Sequence, residues 1–518
     1  MASTSRATSY DEVPYADDPY PSSHPGHLAT VATLSGLSPA PVERCRALEL
    51  GCSRGGNLIP MAVGLPGSRF VGIDSSPGQV AAARAVIDAL GLENITVEAR
   101  DVLDVDEEFG TFDYIICHGT YSWVADDVRD KILEVCSRNL APRGVAYVSY
   151  NTYPGWRLRG LVRELMCYHT RRFDRPEDRA AQARALLDFM ARSAAPIDRT
   201  YGALLAEESE YIRQRPDSYL LHDHLEEVND PVYFHEFVGR AAAKGLRFVS
   251  EVQSNVVALE GLPSPVADGL RRLASDDVEL EQFLDFLINR RFRQSVLCHA
   301  ALTPRRHAQP EDLAKLEVAA PRSDRPLPVP MRNEGLLRGA LAHLAAAWPF
   351  GVPWGSLPRL ARTPIGPAPG AGAAASESRD EQDLAADLIC CYNLKLVEFR
   401  THKPPYVAEI SDRPLASPLA RHQAATGNIV TNLRHEAGQL NDFSRIVLRH
   451  LDGTHDRSAI LRALHQARNE GRLFLSSDSL SPGDVAPGVD REEPLERLFG
   501  SMLDGCLERL ARFALLMS

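Results

Sequence analysis

The chain has no uninterrupted apolar run approaching the roughly 18–20 residues that a membrane-crossing helix needs, so membrane insertion is not expected. It has no surplus of positive charge: 57 Lys and Arg stand against 69 Asp and Glu, for a net charge of −12. A chain of that sign does not capture nucleic acid by broad electrostatic attraction, and no nucleic-acid partner is expected. It has no CxxC pair. Its nine cysteines are scattered, and Cys45, Cys117, Cys136 and Cys298 sit inside apolar runs, which suits buried free thiols in a reducing compartment. The first residues lack a charged segment followed by an apolar one, so no secretory leader is expected and the expected location is cytoplasmic. No metal site is expected either. "LLHDHLEE" (220–227) carries His222, His224 and Glu226, but His-x-His puts both rings on one side only in a strand, and no further ligand cluster follows.

What the chain does have is length and a repeating pattern. Its 518 residues exceed one core and imply about three to four domains. From residue 45 short apolar runs alternate with helical periodicity, the pattern of βαβ units and a parallel sheet. "CRALEL" (45–50), "RFVGID" (69–74), "NITVEARD" (94–101), "FDYIICHG" (112–119) and "VAYVSYN" (145–151) read as five strands. "NLIPMAV" (57–63), "SSPGQVAAARAVIDALG" (75–91) and "VRDKILEVCSRNLAPRG" (128–144) read as helices between them. Ser76 is placed to cap the second of these helices, Pro77 opens it and Gly91 closes it.

Ligands on such sheets bind beyond the carboxyl ends of the strands. Gly51, Gly55 and Gly56 follow the first strand, with Asn57 opening the next helix; Asp74 ends the second and Asp101 the third. His118 to Trp123 follow the fourth, and Asn151 to Trp156 the fifth. An acid ending the second strand, about twenty residues past the glycines, suits a bidentate grip on ribose hydroxyls. Dinucleotide binders share that logic, but their GxGxxG places a pyrophosphate at the helix amino end. Here the string is Glu49-x-Gly51-x-Ser53-x-Gly55-Gly56. An acid at Glu49 repels a pyrophosphate and welcomes a cationic amino acid moiety.

This string resembles the first motif of class I S-adenosylmethionine-dependent methyltransferases, acid-x-Gly-x-Gly-x-Gly, with Ser53 in place of the middle glycine. The resemblance implies S-adenosyl-L-methionine as cofactor. Glu49, Gly51 and Gly55 would surround its methionine part, Asp74 would hold the ribose, Asp101 with Val102 would contact the adenine, and Asn57 and His118 would also bind the cofactor. A turn or helix-cap role for Asp101 stays open.

A narrower likeness covers roughly residues 10–300. "YDEVPYADDPYPSSHPGHLATVATLSGL" (10–37), "CRALELGCSRGGNLIPMA" (45–62), "CHGTYSWV" (117–124), "NTYPGW" (151–156), "YLLHDHLEEVNDPVYFHEFVGRAAAKGLRFVSE" (219–251) and "FLDFLINRRFRQSVLCHA" (283–300) occur in that order. Together they resemble bacterial methyltransferases that carry a methyltransferase regulatory domain, a group that includes rickettsial protein-lysine methyltransferases acting on an outer-membrane surface protein. The resemblance implies an α/β, Rossmann-like methyltransferase sheet with a helical insertion and mainly α accessory C-terminal domains. The expected layout is a core beginning over 1–156, a helical insertion over 157–215 suited to dimerisation, completion of the core over 216–300, a helical middle region with linkers over 301–380, and a C-terminal domain over 381–518. Within the last, "DFSRIVLRHLDG" (442–453) and "DRSAILRALHQARNEGRL" (456–473) read as a helix–turn–helix pair, which an acidic chain uses for protein docking or structure.

Methyl transfer from a sulfonium is an in-line displacement, so the protein mainly supplies alignment and desolvation. The two aromatic loops carry the candidates: His118, Tyr121 and Trp123 in one, Tyr150, Asn151, Tyr153 and Trp156 in the other. Asn151, Tyr121 or Tyr153 would aim an amine lone pair, and His118 would relay a proton; core packing stays open for Trp123 and Trp156. No residue stands out as an obligatory general base. Tyr10, Tyr15 and His24, ahead of the first strand, are candidates to fold over the cofactor. The expected activity is N-methylation of lysine in a protein substrate, with methylation of a small molecule, or a catalytically inactive regulatory protein on this fold, as alternatives.

Overall fold

The computed structural model describes residue 13 and residues 17–252, 259, 261–320, 331–363, 377–473 and 495–517. Tyr10, Tyr15, most of the glycine- and alanine-rich stretch over 363–382, and the proline- and glycine-containing stretch over 485–494, which the sequence suggests as a further break, lie outside the described residues.

The five strands expected from the pattern form. They are β1 (Arg46–Leu50), β2 (Arg69–Asp74), β3 (Ile95–Ala99), β4 (Phe112–Cys117) and β5 (Leu140–Asn151). Two more, β6 (Leu246–Glu251) and β7 (Phe292–His299), complete a seven-stranded sheet of order β3-β2-β1-β4-β5-β7-β6. The first five strands run parallel, and β7 pairs antiparallel with both β5 and β6. The chain reverses its order of strand addition after β3, returning to place β4 beside β1, and a crevice opens there at the strands' carboxyl ends.

The parallel strands bury both faces, which is why they read as nearly continuous apolar runs. Leu28, Leu58, Phe70 and Tyr114 gather in the core on one face, and Leu48, Ile115, Leu133 and Phe237 in the core on the other. The helix Pro77–Leu90 is punctuated as its sequence predicts. Ser76 accepts from the Gln79 N–H, and Gly91 takes the left-handed conformation at φ +63°. The helix Pro25–Leu34 is buried over nearly all its surface, because the sheet covers one side and residues 310–400 the other.

Three helices, Gly155–Thr170, Pro176–Ala194 and Arg199–Arg213, follow β5, and a short one, Asp217–His224, returns the chain to the core. They share their own apolar cluster around Val162, Met166, Leu187 and Leu205.

Beyond β7 the structure departs from expectation at two places. Within the stretch expected to be a helical middle region with linkers, residues 302–320 contain a 3-10 turn at Pro310–Lys315 and a strand at Glu317–Ala319 that pairs with Glu398–Arg400. Pro310 opens the 3-10 turn as its first residue, and the strand is three residues long and too short for alternation to register. The boundary expected at 380/381 falls inside the helix Glu377–Asn393, whose Leu384, Leu388 and Cys391 pack with Leu313, Leu337 and Phe399. The middle unit therefore runs to about residue 400. The last core is built from Pro418–Thr426, Asp442–Arg449, Arg457–Asn469 and Leu495–Arg512, with a small hairpin, Ile429–Thr431 and Ala437–Gln439.

Candidate active site

A cavity of about 1390 Å³ opens where β1, β2, β4 and β5 end, lined on its far side by the helical insertion and by Val13, Asp17, Asp18 and Tyr20. Its floor is the turn after β1. Gly51 lies at φ +75°, and a Cβ there would stand 2.4 Å from Thr120 Oγ1 on the loop after β4. Ser53, where a glycine was expected, also adopts a left-handed φ of +50°. Its backbone N–H donates to Asp74 Oδ2 at 2.9 Å and its hydroxyl bonds Gln79 Oε1. Those bonds hold a conformation that costs a non-glycine residue about 1–2 kcal/mol. Gly55 does not reach the cavity; it backs the turn, where a Cβ would press on Ile59 Cδ1 at 2.8 Å. Gly56 lines the cavity instead, with a Cβ position only 2.5 Å from the Asp17 backbone.

Glu49 points inward from β1 and is only 3% exposed. Its Oε1 accepts from Asn57 Nδ2 at 2.6 Å, while Oε2 is buried without a hydrogen-bond partner. Burial pushes the carboxyl up to about 8, against the Asn57 hydrogen bond that lowers it and with nearby Asp74 adding to the rise. An orphaned carboxylate oxygen facing a cavity is a seat for a cationic group. Asp74 ends β2 with Oδ1 accepting from the Ser76 N–H at 2.9 Å, and so presents its carboxylate at the turn. Asp101 is exposed at the cavity rim and accepts from the Leu103 N–H, the capping role left open above; buried Val102 lines the wall beside it.

Of the two aromatic loops, His118, Trp123, Asn151 and Trp156 line the cavity. Trp123 and Trp156 meet edge to face at 6.2 Å, and Asn151 is held by Ser122 Oγ on its backbone N–H and by Asn229 on its carboxamide. Tyr121 and Tyr150 turn the other way. Both are buried around Phe237 in the sheet core, so neither reaches an acceptor in the cavity. Tyr153 also lies outside the cavity, under the Arg157 guanidinium and beside Tyr233. His24 caps the helix Pro25–Leu34 and does not line the cavity. His222 lines it with its Nε2 against the Val13 carbonyl, whereas His224 is fully buried beside Trp156. Among the described residues no group of three or more His, Cys, Asp or Glu is arranged to hold a metal ion.

The residue with the most evident role was not singled out by its sequence. Tyr20 stacks on the His118 ring at 3.7 Å, and its backbone N–H donates to Asn57 Oδ1 at 2.9 Å. Burial, followed by Asp18, Glu49, Asp223 and Asp17, drives its phenol well above the usual range, so the hydroxyl stays protonated among carboxylates. His118 in turn binds the Tyr147 hydroxyl through Nδ1 at 2.8 Å, and burial pushes its ring down to about 3. The buried imidazole is therefore held toward its neutral form, with the Tyr20 ring stacked on its face. The motif "PYPSSH" gave no periodicity to place Tyr20 here; only the return of residues 17–24 across the strand ends does so.

Three family models match the chain: "Methyltransferase domain" over 47–144, "Predicted methyltransferase regulatory domain" over 216–299, and "PKMT, C-terminal winged helix domain" over 412–515. "Uncharacterized protein RP789" of Rickettsia prowazekii is 34% identical over 98% of this chain and 93% of its own length. "Uncharacterized protein sll1526" of Synechocystis is 27% identical over 58% of this chain and 60% of its own. The solved structure of PKMT2 from Rickettsia typhi superposes with a TM-score of 0.83 at 28% identity, covering 97% of this chain and all of that one. PKMT2 in complex with AdoHcy superposes with a TM-score of 0.82 over 98% of this chain.

Proposed function

The chain belongs to the S-adenosyl-L-methionine-dependent methyltransferases that carry a methyltransferase regulatory domain, and from that premise we propose that it N-methylates lysine side chains of a protein substrate. Its cofactor is S-adenosyl-L-methionine, which supplies a methyl group already activated by the positive sulfur. The residues present fit that group. Glu49 offers a buried, unpartnered carboxylate oxygen for the methionine amino group, and Gly51 and Gly56 keep the floor free of side chains. Asp74, fixed by the Ser53 and Ser76 N–H groups, would hold the ribose hydroxyls, and Asp101 and Val102 would contact the base.

The observation that carries the lysine reading is the chemistry around Tyr20. Asp18, Asp223 and Glu49 bear on one phenol at the mouth of a cavity larger than the roughly 300–1,000 Å³ of small-ligand pockets. Carboxylates attract an alkylammonium, and Tyr20, Trp123, Trp156 and Tyr219 supply aromatic faces that favour a cation by about 0.5–2 kcal/mol. The same aromatic enclosure favours the neutral amine once its proton has left, which is the nucleophilic form. Arg159 on the insertion and Arg291 just before β7 pair with Glu208, Arg163 binds the Glu226 carbonyl, and Arg179 binds the Leu225 carbonyl. Tyr20, rather than Tyr121 or Tyr153, is the group we assign to aiming the amine, with Asn151 nearby on the cavity wall. The insertion carries Tyr168, Phe189 and Ile197 on its surface, and we assign that face to a homodimer contact.

Calorimetry with S-adenosyl-L-methionine, followed by a labelled methyl donor in host lysate, tests this reading. The intact protein binds the cofactor, Asp74→Ala weakens binding about 100-fold or more, and label enters protein as methyl-lysine. Label confined to small molecules would refute the lysine assignment, and no binding at all would refute the cofactor as well.

A further inference from the structure

The carboxamide of Asn57 is the junction of three parts of the chain. Its Nδ2 donates to Glu49 Oε1 at 2.6 Å and to Ser23 Oγ at 3.0 Å. Its Oδ1 accepts from the Tyr20 backbone N–H at 2.9 Å and meets His435 Nε2 at 2.8 Å. The orientation of the amide is determined by the Tyr20 backbone N–H. It offers only a donor, so it faces the carbonyl oxygen, which turns the NH2 group toward Glu49 and Ser23. His435 Nε2 must then carry the proton and donate.

His435 comes from the C-terminal domain, 378 residues away in sequence. It stands at the tip of the hairpin Ile429–Gln439 in a left-handed conformation, φ +63°. The tip is braced for this. Asn432 Oδ1 accepts from the Arg434 and Glu436 N–H groups at 2.9 Å, the Leu433 N–H donates to the Ala514 carbonyl, and Arg434 lies over Trp348. The ring is 4% exposed and packs between His24, whose centroid is 5.2 Å away, and Asn57. A buried histidine in a left-handed conformation, hydrogen-bonded to the Asn57 that holds Glu49, is a placed feature rather than incidental packing.

We propose that His435 is a positioning residue for cofactor binding: by donating to Asn57 Oδ1 it keeps the Asn57 NH2 group on Glu49, so the C-terminal domain completes the methionine end of the cofactor seat. This rests on the cofactor reading above. Binding energy is shared in both directions, so cofactor and the docked hairpin stabilise each other.

The full-length chain tests it with S-adenosyl-L-homocysteine as the probe. His435→Phe keeps the ring's bulk and removes the donor; calorimetry should show Kd raised about 5- to 30-fold, the range for a buried acceptor losing one partner. His435→Gln, which restores a donor at the same reach, should return Kd to within about threefold of the unmodified protein. In the unmodified protein the probe should also slow hydrogen exchange across residues 429–439, a measurement that needs no variant. A His435→Phe Kd equal to that of the unmodified protein, or hairpin exchange indifferent to the probe, overturns the inference while leaving the cofactor reading intact. Failure of the unmodified protein to bind the probe overturns both.

Discussion

At the scale of single residues the site turns on how charge is handled out of water. Glu49 has an ordinary carboxyl value of 4.5 and is raised to about 8 by its burial. Between those values the folded, ligand-free chain keeps a proton that the unfolded chain has lost. Stability without cofactor therefore falls as pH rises through that window. Cofactor affinity moves the opposite way, because only the carboxylate attracts a cationic amino group, and it should rise as pH passes through about 8. Glu49→Gln should flatten both trends, as read by thermal unfolding and calorimetry at pH 5.5 and pH 8.5; an unchanged pH dependence would assign the proton elsewhere. Glu49 and Asp74 were legible because their acids interrupt apolar strands at fixed distances from the glycines. Tyr121 was not: a tyrosine in an aromatic loop looks the same in sequence whether it faces the crevice or the core, and packing against Phe237 turned it inward.

At the scale of elements, the loops after β1 and β4 must pass very close, and the positive φ of Gly51 is what allows it. Gly51→Ala should cost about 1–3 kcal/mol of stability and displace the Thr120 loop, with a matching loss of cofactor affinity in calorimetry. The antiparallel end of the sheet depends on a buried ion cluster. Arg293 on β7 is fully buried and binds Asp285 through two bonds of 2.8 Å, Glu251 at 2.9 Å and Glu281 at 3.1 Å. Its guanidinium also lies 3.7 Å above the Phe234 ring. Removing the cation leaves several carboxylates facing one another out of water. Arg293→Met should destabilise the chain by about 3–5 kcal/mol in denaturant unfolding, whereas an exposed pair such as Arg271 and Asp268 should be nearly silent. The strand pattern made β6 and β7 foreseeable only in part: "LRFVSE" follows a clear helix and glycine, but "FRQSVLCH" hides a buried arginine where alternation calls for an apolar residue.

At the scale of the molecule, the helical insertion exposes Ile197 by 88%, Tyr168 by 69% and Phe189 by 58%, more apolar side chain than a surface helix needs. If that face joins two copies, Ile197→Asp with Phe189→Asp should convert a two-chain mass in light scattering to a one-chain mass and leave cofactor Kd unchanged. A one-chain mass for the unmodified protein would contradict the dimer. The C-terminal domain is held by contacts within the chain. Leu419 joins the core of the methyltransferase sheet, and His435 reaches Asn57, so the C-terminal domain is packed onto the cofactor side.

The sequence by itself determined the five parallel strands, the helices between them and the acid–glycine turn, because strand periodicity, helix caps and motif spacing are local and each leaves a mark within about twenty residues. Only the tertiary structure decided which aromatic residues face the cavity, that Tyr20 closes it, and that a histidine from the last domain secures Asn57. Those relations join segments tens to hundreds of residues apart. Side-chain direction and long-range contact leave no periodic trace in the chain that makes them.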